Sequence, residues 1–264
     1  MQVTHVSLSS DRKVTSCCRR QTHKDSPAVS NTYGLPAGDS CPDMTEFCIS
    51  CYAESTSRMY SSVNALLWRN FDAHLAAGDD VDAHYALIES AYLKYRSQFD
   101  RLLKAGRVTV DDDIFRLLWS GDLYNDAFAK AWARLIDRYR QTQFWVYTRS
   151  FDRAPIFAGL PNIAVYLSID SGNLEWADIM LRTHDWLHAA FCADTQAEAH
   201  ALAAELGRTA APCPENIGRI PLVMHQSGRR SRTVAIGEDG KGACAVCRLC
   251  VDGIRDVAFA IKGR

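Results

Sequence analysis

Read for the spacing of its apolar positions, the chain divides into an irregular start, two helical stretches and a long region where short apolar runs alternate with amphipathic helices. Residues 1–40 are polar, rich in Ser, Thr and Gly, and close on the turn signal NTYGLPAGDS (31–40). Beyond Cys51, residues Met59, Val63, Leu66, Leu67 and Phe71 recur at helical spacing. Leu87, Ile88, Tyr92, Tyr95, Phe99 and Leu102 predict a second helix over 82–104.

The rhythm then changes. IFRLLWSGD (114–122), FWVYTRS (144–150), NIAVYLSIDSGN (162–173), AAFCADT (189–195) and RIPLVMHQ (219–226) each read as a short buried strand ending in polar residues. Helices such as DAFAKAWARLIDRYRQ (126–141) and QAEAHALAAELG (196–207) fall between them. Strands alternating with helices predict a parallel sheet. A sixth strand is expected just before the cysteine loop, giving a partial (β/α) barrel of about six parallel strands. In such a barrel the carboxyl ends of the strands gather on one face, where chemistry is done. Residues 227–250, SGRRSRTVAIGEDGKGACAVCRLC, are glycine-rich and basic, and a last strand, VAFAI (257–261), follows them. We therefore divide the chain into a barrel over 1–226 and a cysteine-rich extension over 227–264.

Composition narrows the class. The 264 residues are 47% hydrophobic and 23% charged, and 30 basic side chains nearly cancel 31 acidic ones. No global field draws the chain toward nucleic acid or membrane. Contact with nucleic acid would rest on local patches: Arg19, Arg20 and Lys24, or Arg229, Arg230 and Arg232. No stretch approaches the ~18 apolar residues of a membrane helix, and the first residues lack the apolar run of a signal peptide. A cytoplasmic, non-membrane location is expected, where thiols stay reduced.

That expectation gives the ten cysteines their meaning. Cys41, Cys48 and Cys51 form C-x6-C-x2-C, followed at once by Tyr52, Ala53 and Glu54. A structural zinc takes four ligands. A [4Fe–4S] cluster held by three thiolates keeps one iron open. A catalytic zinc also takes three ligands and a water, but three thiolates would blunt its Lewis acidity. Cys244, Cys247 and Cys250 form C-x2-C-x2-C, with Cys213 as a fourth ligand. Four thiolates suit either zinc or a closed second cluster, or these thiols complete a site with the N-terminal loop. The adjacent Cys17 and Cys18 read as free thiols. Cys192, at a strand end, reads as a small buried apolar residue or a thiol facing substrate.

A three-cysteine loop before a run of βα units resembles the radical S-adenosylmethionine superfamily. There the usual spacing is C-x3-C-x2-C with an aromatic residue before the last cysteine; here the first gap is six residues and Ser50 holds the aromatic position. The C-x6-C-x2-C-Y-A-E loop is more similar to a three-cysteine phage family of the gene product 88 type. That likeness extends through NTYGLP, WSGDLYN (119–125), FWVYTRSF (144–151), LPNIAVYLSID (160–170) and the C-terminal cysteines.

The resemblance implies that Cys41, Cys48 and Cys51 ligate an open [4Fe–4S] cluster which binds S-adenosylmethionine and cleaves it to a 5′-deoxyadenosyl radical. It implies an external reductant such as flavodoxin or ferredoxin. It puts Ser120, Gly121 and Asp122 where a glycine-glycine-acid motif contacts the methionyl amine, with a serine for one glycine and Asp for Glu. Thr148, Arg149, Ser168 and Asp170 would then meet the ribose or carboxylate. The expected function is an iron–sulfur enzyme acting on an unidentified substrate, which could be nucleic-acid-related. The rival expectations are a metal-stabilised nucleic-acid-binding or adaptor protein, and an electron-transfer or redox-sensing protein.

Overall fold

A computed structural model describes residues 5–11, 13–18, 28–220, 224–225, 232–233 and 240–261. Three helices lead in: α1 (Tyr52–Met59), α2 (Ser61–Ala77) and α3 (Val81–Lys104). The turn between α2 and α3 is built twice over. Gly78 closes α2 at a positive φ of 60°, which only glycine adopts cheaply. Asp80 then caps α3 by accepting from the amides of Asp82 and Ala83 at 2.9 and 3.1 Å.

Six parallel strands follow in a sheet curled into half a barrel, ordered β1-β2-β3-β4-β8-β5. They are β1 (Ile114–Arg116), β2 (Gln143–Thr148), β3 (Ile163–Ile169), β4 (His188–Ala193), β5 (Ala211–Pro212) and β8 (Val257–Ala260). α4 (Asp126–Arg138), α5 (Leu174–Thr183) and α6 (Gln196–Glu205) connect them. The α/β half-barrel expected from the alternating runs is what forms.

Two details differ from expectation. Of the run 219–226, the described pair Met224–His225 (β6) lies outside the sheet and pairs antiparallel with Arg232–Thr233 (β7) in a separate ribbon. Pro221 lies inside that run and has no amide to give to a central ladder. The place beside β4 goes to β8, whose Ala258 packs on one face while Val257 and Phe259 pack on the other. The expected strand before the cysteine loop is an extended segment, 31–35, lying along β1. It shows only single bridges, Thr32 to Arg116 and Thr32 to Ser9. The basic patches at Arg19, Arg20 and Lys24 and at Arg229 and Arg230, with the side chain of Arg232, lie outside the described residues.

Side-chain alternation gives the sheet two unlike faces. Phe115, Phe144, Val146, Val165, Leu167, Phe191 and Ala258 join the helices in the main core. Ile114, Trp145, Ala164, Tyr166, Ala190 and Val257 form a second, smaller core on the opposite face. What covers that face is the C-terminal cysteine segment, through Ala245, Leu249 and Val251 with Cys213, Cys244 and Cys250. The half-barrel is plugged by its own tail.

Candidate metal centres and the rim between them

The first cysteine group is delivered by the segment along β1. Arg116 donates its amide to Asn31, Tyr33 to Arg116, Trp119 to Tyr33 and Leu35 to Ser120, at 2.9–3.1 Å. The Asp122 amide then meets the Ser40 carbonyl at 3.2 Å, one residue before Cys41. Gly121 makes this approach possible. Its φ is +77°, and a Cβ there would stand 2.4 Å from Ser40 Oγ and 2.7 Å from Leu35 Cβ. No other residue fits.

Past Cys41 the loop tightens into a 3-10 turn, Glu46–Ser50, and Cys51 opens α1. Cys48 and Cys51 close successive turns, with amides donating to Thr45 and Cys48 carbonyls at 3.0 Å. The loop is pinned to the sheet's carboxyl rim by Thr45, whose hydroxyl donates to Asp170 at 2.7 Å and lies 3.9 Å from Cys48 Sγ. Arg149 pairs with the same Asp170 carboxylate and sets its guanidinium 5.6 Å from the Phe47 ring centre.

Asp122 binds the neighbouring strand end. It accepts from Thr148 Oγ1 at 2.5 Å, from the Arg149 amide at 2.7 Å and from the Leu123 amide at 2.7 Å. Burial raises its pKa, and those donors pull it back down. Asp122, Thr148, Arg149, Asp170 and Thr45 thus form one polar chain from β1 across to the cysteine loop.

Of the predicted cofactor residues, Asp122, Thr148, Arg149 and Asp170 meet directly. Ser168 contributes its carbonyl, which accepts from Arg149 at 3.3 Å and Asn173 at 3.0 Å. Gly121 is the clamp, and Ser120 is buried with its hydroxyl lacking a partner among the described residues. The three thiols are neighbours. Burial pushes Cys41 up to about 12, and Asp122, Cys51 and Cys48 add to the shift. Cys192, half-buried on the inner face of β4, lies near Arg149, Asp170 and Cys48 and is likewise pushed up to about 11, first by burial.

The second group sits on the inner face. Cys213 follows β5 and donates its amide to Ala258 at 3.0 Å. Cys244 and Cys247 belong to the short helix α7 (Ala243–Cys247), after which Arg248 takes a left-handed turn at φ 57° toward Cys250. Burial raises Cys213 and Cys244 and pushes Cys250 up to about 12; Cys250 also feels Cys213 and Cys247, while Cys244 feels Cys250 and Cys213. Cys213 and Cys250 thus lie near each other and near both Cys244 and Cys247. Tyr147 lies beside Cys250, and each shifts the other's pKa, while the Tyr166 hydroxyl donates to the Leu249 and Arg255 carbonyls at 3.3 and 3.1 Å.

Among the described residues, no three His, Cys, Asp or Glu side chains gather into a set for a single metal ion. One zinc at ~2.3 Å from each thiolate needs its sulfurs within roughly 4 Å of one another. In a cubane each thiolate meets its own iron, so the sulfurs need only be close neighbours. The thiols of each group lie close enough to perturb one another electrostatically.

Sequence reasoning missed Arg116, Tyr147, Tyr52 and Thr45. The signal was there for Arg116, a charged residue on a strand whose neighbours are buried on both faces.

The gene product 88 family model matches residues 8–253. The chain belongs to the gene product 88 family. Its similarity to the Gene 88 protein of Mycobacterium phage L5 is 31% identity over 258 residues, covering 96% of both chains. The Gene 88 protein of Mycobacterium phage D29 is 29% identical over the same 96% of each. No solved structure matches. The match spans both cysteine groups, Cys41 through Cys250. No helix among the described residues is long and apolar enough to cross a membrane.

Proposed function

We propose that this member of the gene product 88 family is an iron–sulfur enzyme of the radical S-adenosylmethionine type. One observation carries the reading: three neighbouring thiols on a loop pinned to the carboxyl rim of a parallel half-barrel. Cys41, Cys48 and Cys51 would hold a [4Fe–4S] cluster, which when bound supplies the electron that cleaves the cofactor. Cys213, Cys244, Cys247 and Cys250 would hold a second, fully ligated centre.

The chain's own part is positioning. Asp122 and Asp170 spend their oxygens on Thr148, Arg149, Thr45 and backbone amides. They therefore act first to fix the rim and the loop upon it. Ser120, with an uncommitted hydroxyl, and the Arg149 guanidinium stand at the strand ends where a cofactor's amine and carboxylate would lie. The substrate is left open, with nucleic acid one candidate class and flavodoxin or ferredoxin the class of reductant.

The test is anaerobic purification, iron and sulfide analysis, then reduction with S-adenosylmethionine. Release of 5′-deoxyadenosine, abolished by Cys48→Ala, is the expected result. A brown protein that leaves the cofactor intact would favour an electron-transfer role. A zinc-loaded, colourless protein would favour a stapled adaptor.

A further inference from the structure

Between the two cysteine groups lies one nearly buried cation. Arg116 is the last residue of β1, points to the inner face, and has a side chain only 13% exposed. Its Nη2 donates to the Tyr52 hydroxyl at 3.3 Å, and Tyr52 directly follows Cys51. The Tyr52 hydroxyl in turn donates to the Trp119 carbonyl at 2.9 Å. On its other side the guanidinium carbon lies 5.3 Å from the centre of the Tyr147 ring, and Tyr147 lies near Cys250 and Cys244, packed like them against the second core. The nearest carboxylate, Asp11, is 3.7 Å from Nη1, too far for a tight fork. Nε finds no hydrogen-bond partner among the described residues. A buried guanidinium with a loose carboxylate and an idle donor is costly unless another negative charge stands nearby.

The second group supplies that charge. Four thiolates around a [4Fe–4S] core, or around one zinc ion, leave about two net negative charges. Placed inside the half-barrel, such a centre needs positive charge and hydrogen-bond donors close by. Arg116 and the Tyr147 hydroxyl are the groups at hand. We propose that Arg116 is the counter-charge of the second cysteine centre, with Tyr147 as its hydrogen-bonding partner residue, and that it links that centre to the first cysteine loop through Tyr52. This rests on the reading of Cys213, Cys244, Cys247 and Cys250 as metal ligands. In that role Arg116 is a positioning residue: a nearby positive charge favours the more negative, reduced state, so it raises the reduction potential of a cluster.

The experiment uses the full chain carrying Cys41→Ala, Cys48→Ala and Cys51→Ala, so that only the second centre can bind metal. Iron, sulfide and zinc are counted, and the potential is read by an EPR-monitored redox titration. With a cluster present, Arg116→Gln should lower the potential, Arg116→Lys should restore most of it, and Tyr147→Phe should lower it by a smaller step. With zinc present, Arg116→Gln should lose metal to a chelator faster than Arg116→Lys. Should Arg116→Gln fail to fold, the Lys and Phe variants still order the effects. Potential or zinc retention unchanged across all three variants overturns the role of Arg116. A parent chain that binds no metal overturns the premise instead, and the two failures are told apart by the metal count.

Discussion

The two cysteine groups are built on opposite principles. The first lies on a loop at the rim, among side chains that face water: Ile49 is 82% exposed, Tyr52 59% and Met44 53%. Its hold on the sheet is polar and comes from a few contacts, Thr45 to Asp170 and Ser40 to Asp122, while Cys51 alone packs against a small apolar cluster of Ala53, Leu67 and Trp119. The second lies against an apolar face, among Trp145, Tyr166, Ala190 and Val257, and its segment is part of the packing that closes the half-barrel. The contrast teaches how one sheet divides labour. On the proposed reading, its carboxyl ends would hold a centre open to small molecules, and its inner face a closed one that doubles as core.

Removing thiols should show the contrast most sharply. Cys41→Ala, Cys48→Ala and Cys51→Ala together should cut iron from about eight to about four per chain while the fold persists. Changing Cys244 and Cys250 to Ala should instead lower the melting temperature and solubility along with the iron count, because those residues pack in the second core. Equal effects on stability would break the distinction.

Gly121→Ala is the next largest effect. The positive φ and the 2.4 Å approach to Ser40 Oγ predict a loss of roughly 2–4 kcal/mol. Denaturant melts would measure it, and iron should be lost from the first centre before the second. Arg149→Lys should be milder. It keeps charge but gives up the guanidinium that joins Asp170 to the Ser168 carbonyl and lies beside Phe47. Iron content should hold while cofactor binding, read by equilibrium dialysis, weakens about tenfold or more.

A pH effect sharpens the comparison from beneath the rim. Tyr33, in the segment that delivers Cys41, bonds to His74 at 2.8 Å, and His74 bonds to His84 at 2.9 Å. His84 Nε2 meets the Gly78 carbonyl at 2.8 Å and so donates there, which makes its Nδ1 the acceptor for His74. Both rings are neutral in this chain of bonds. Burial, with His84 adding to it, lowers His74 to about 3 from an ordinary value near 6.5. A lowered folded value means the unfolded chain takes up protons first as the pH drops. Stability from this pair is therefore whole above about pH 6.5 and is lost progressively as pH falls toward about 3. The denaturant midpoint should be lower at pH 5 than at pH 7.5, and His74→Gln should shrink that difference. An unchanged slope would remove the pair from the account.

Much of the fold was legible because parallel strands buried on both faces leave continuous apolar runs, as in FWVYT and IAVYLSI. The polar residues closing those runs marked the rim correctly as a place where Asp122, Thr148, Arg149 and Asp170 gather. Their pairing was not legible, since who bonds to whom depends on strand register. The run 219–226 misled because its apolar pattern resembles a strand, while its proline and the competing, better-packed β8 decide the outcome. Arg116 escaped notice for a related reason. Its meaning comes from a tail segment more than a hundred residues away in sequence, Cys244 to Cys250, folding back beneath it.

On the proposed reading, Cys41, Cys48 and Cys51 leave one coordination position for a small molecule. The EPR spectrum of the reduced, anaerobically reconstituted chain, before and after S-adenosylmethionine is added, tests this. We predict a changed spectrum in the parent chain and in Cys250→Ala, and no change in Cys48→Ala. A parent spectrum indifferent to the cofactor, with both centres filled, would contradict the claim.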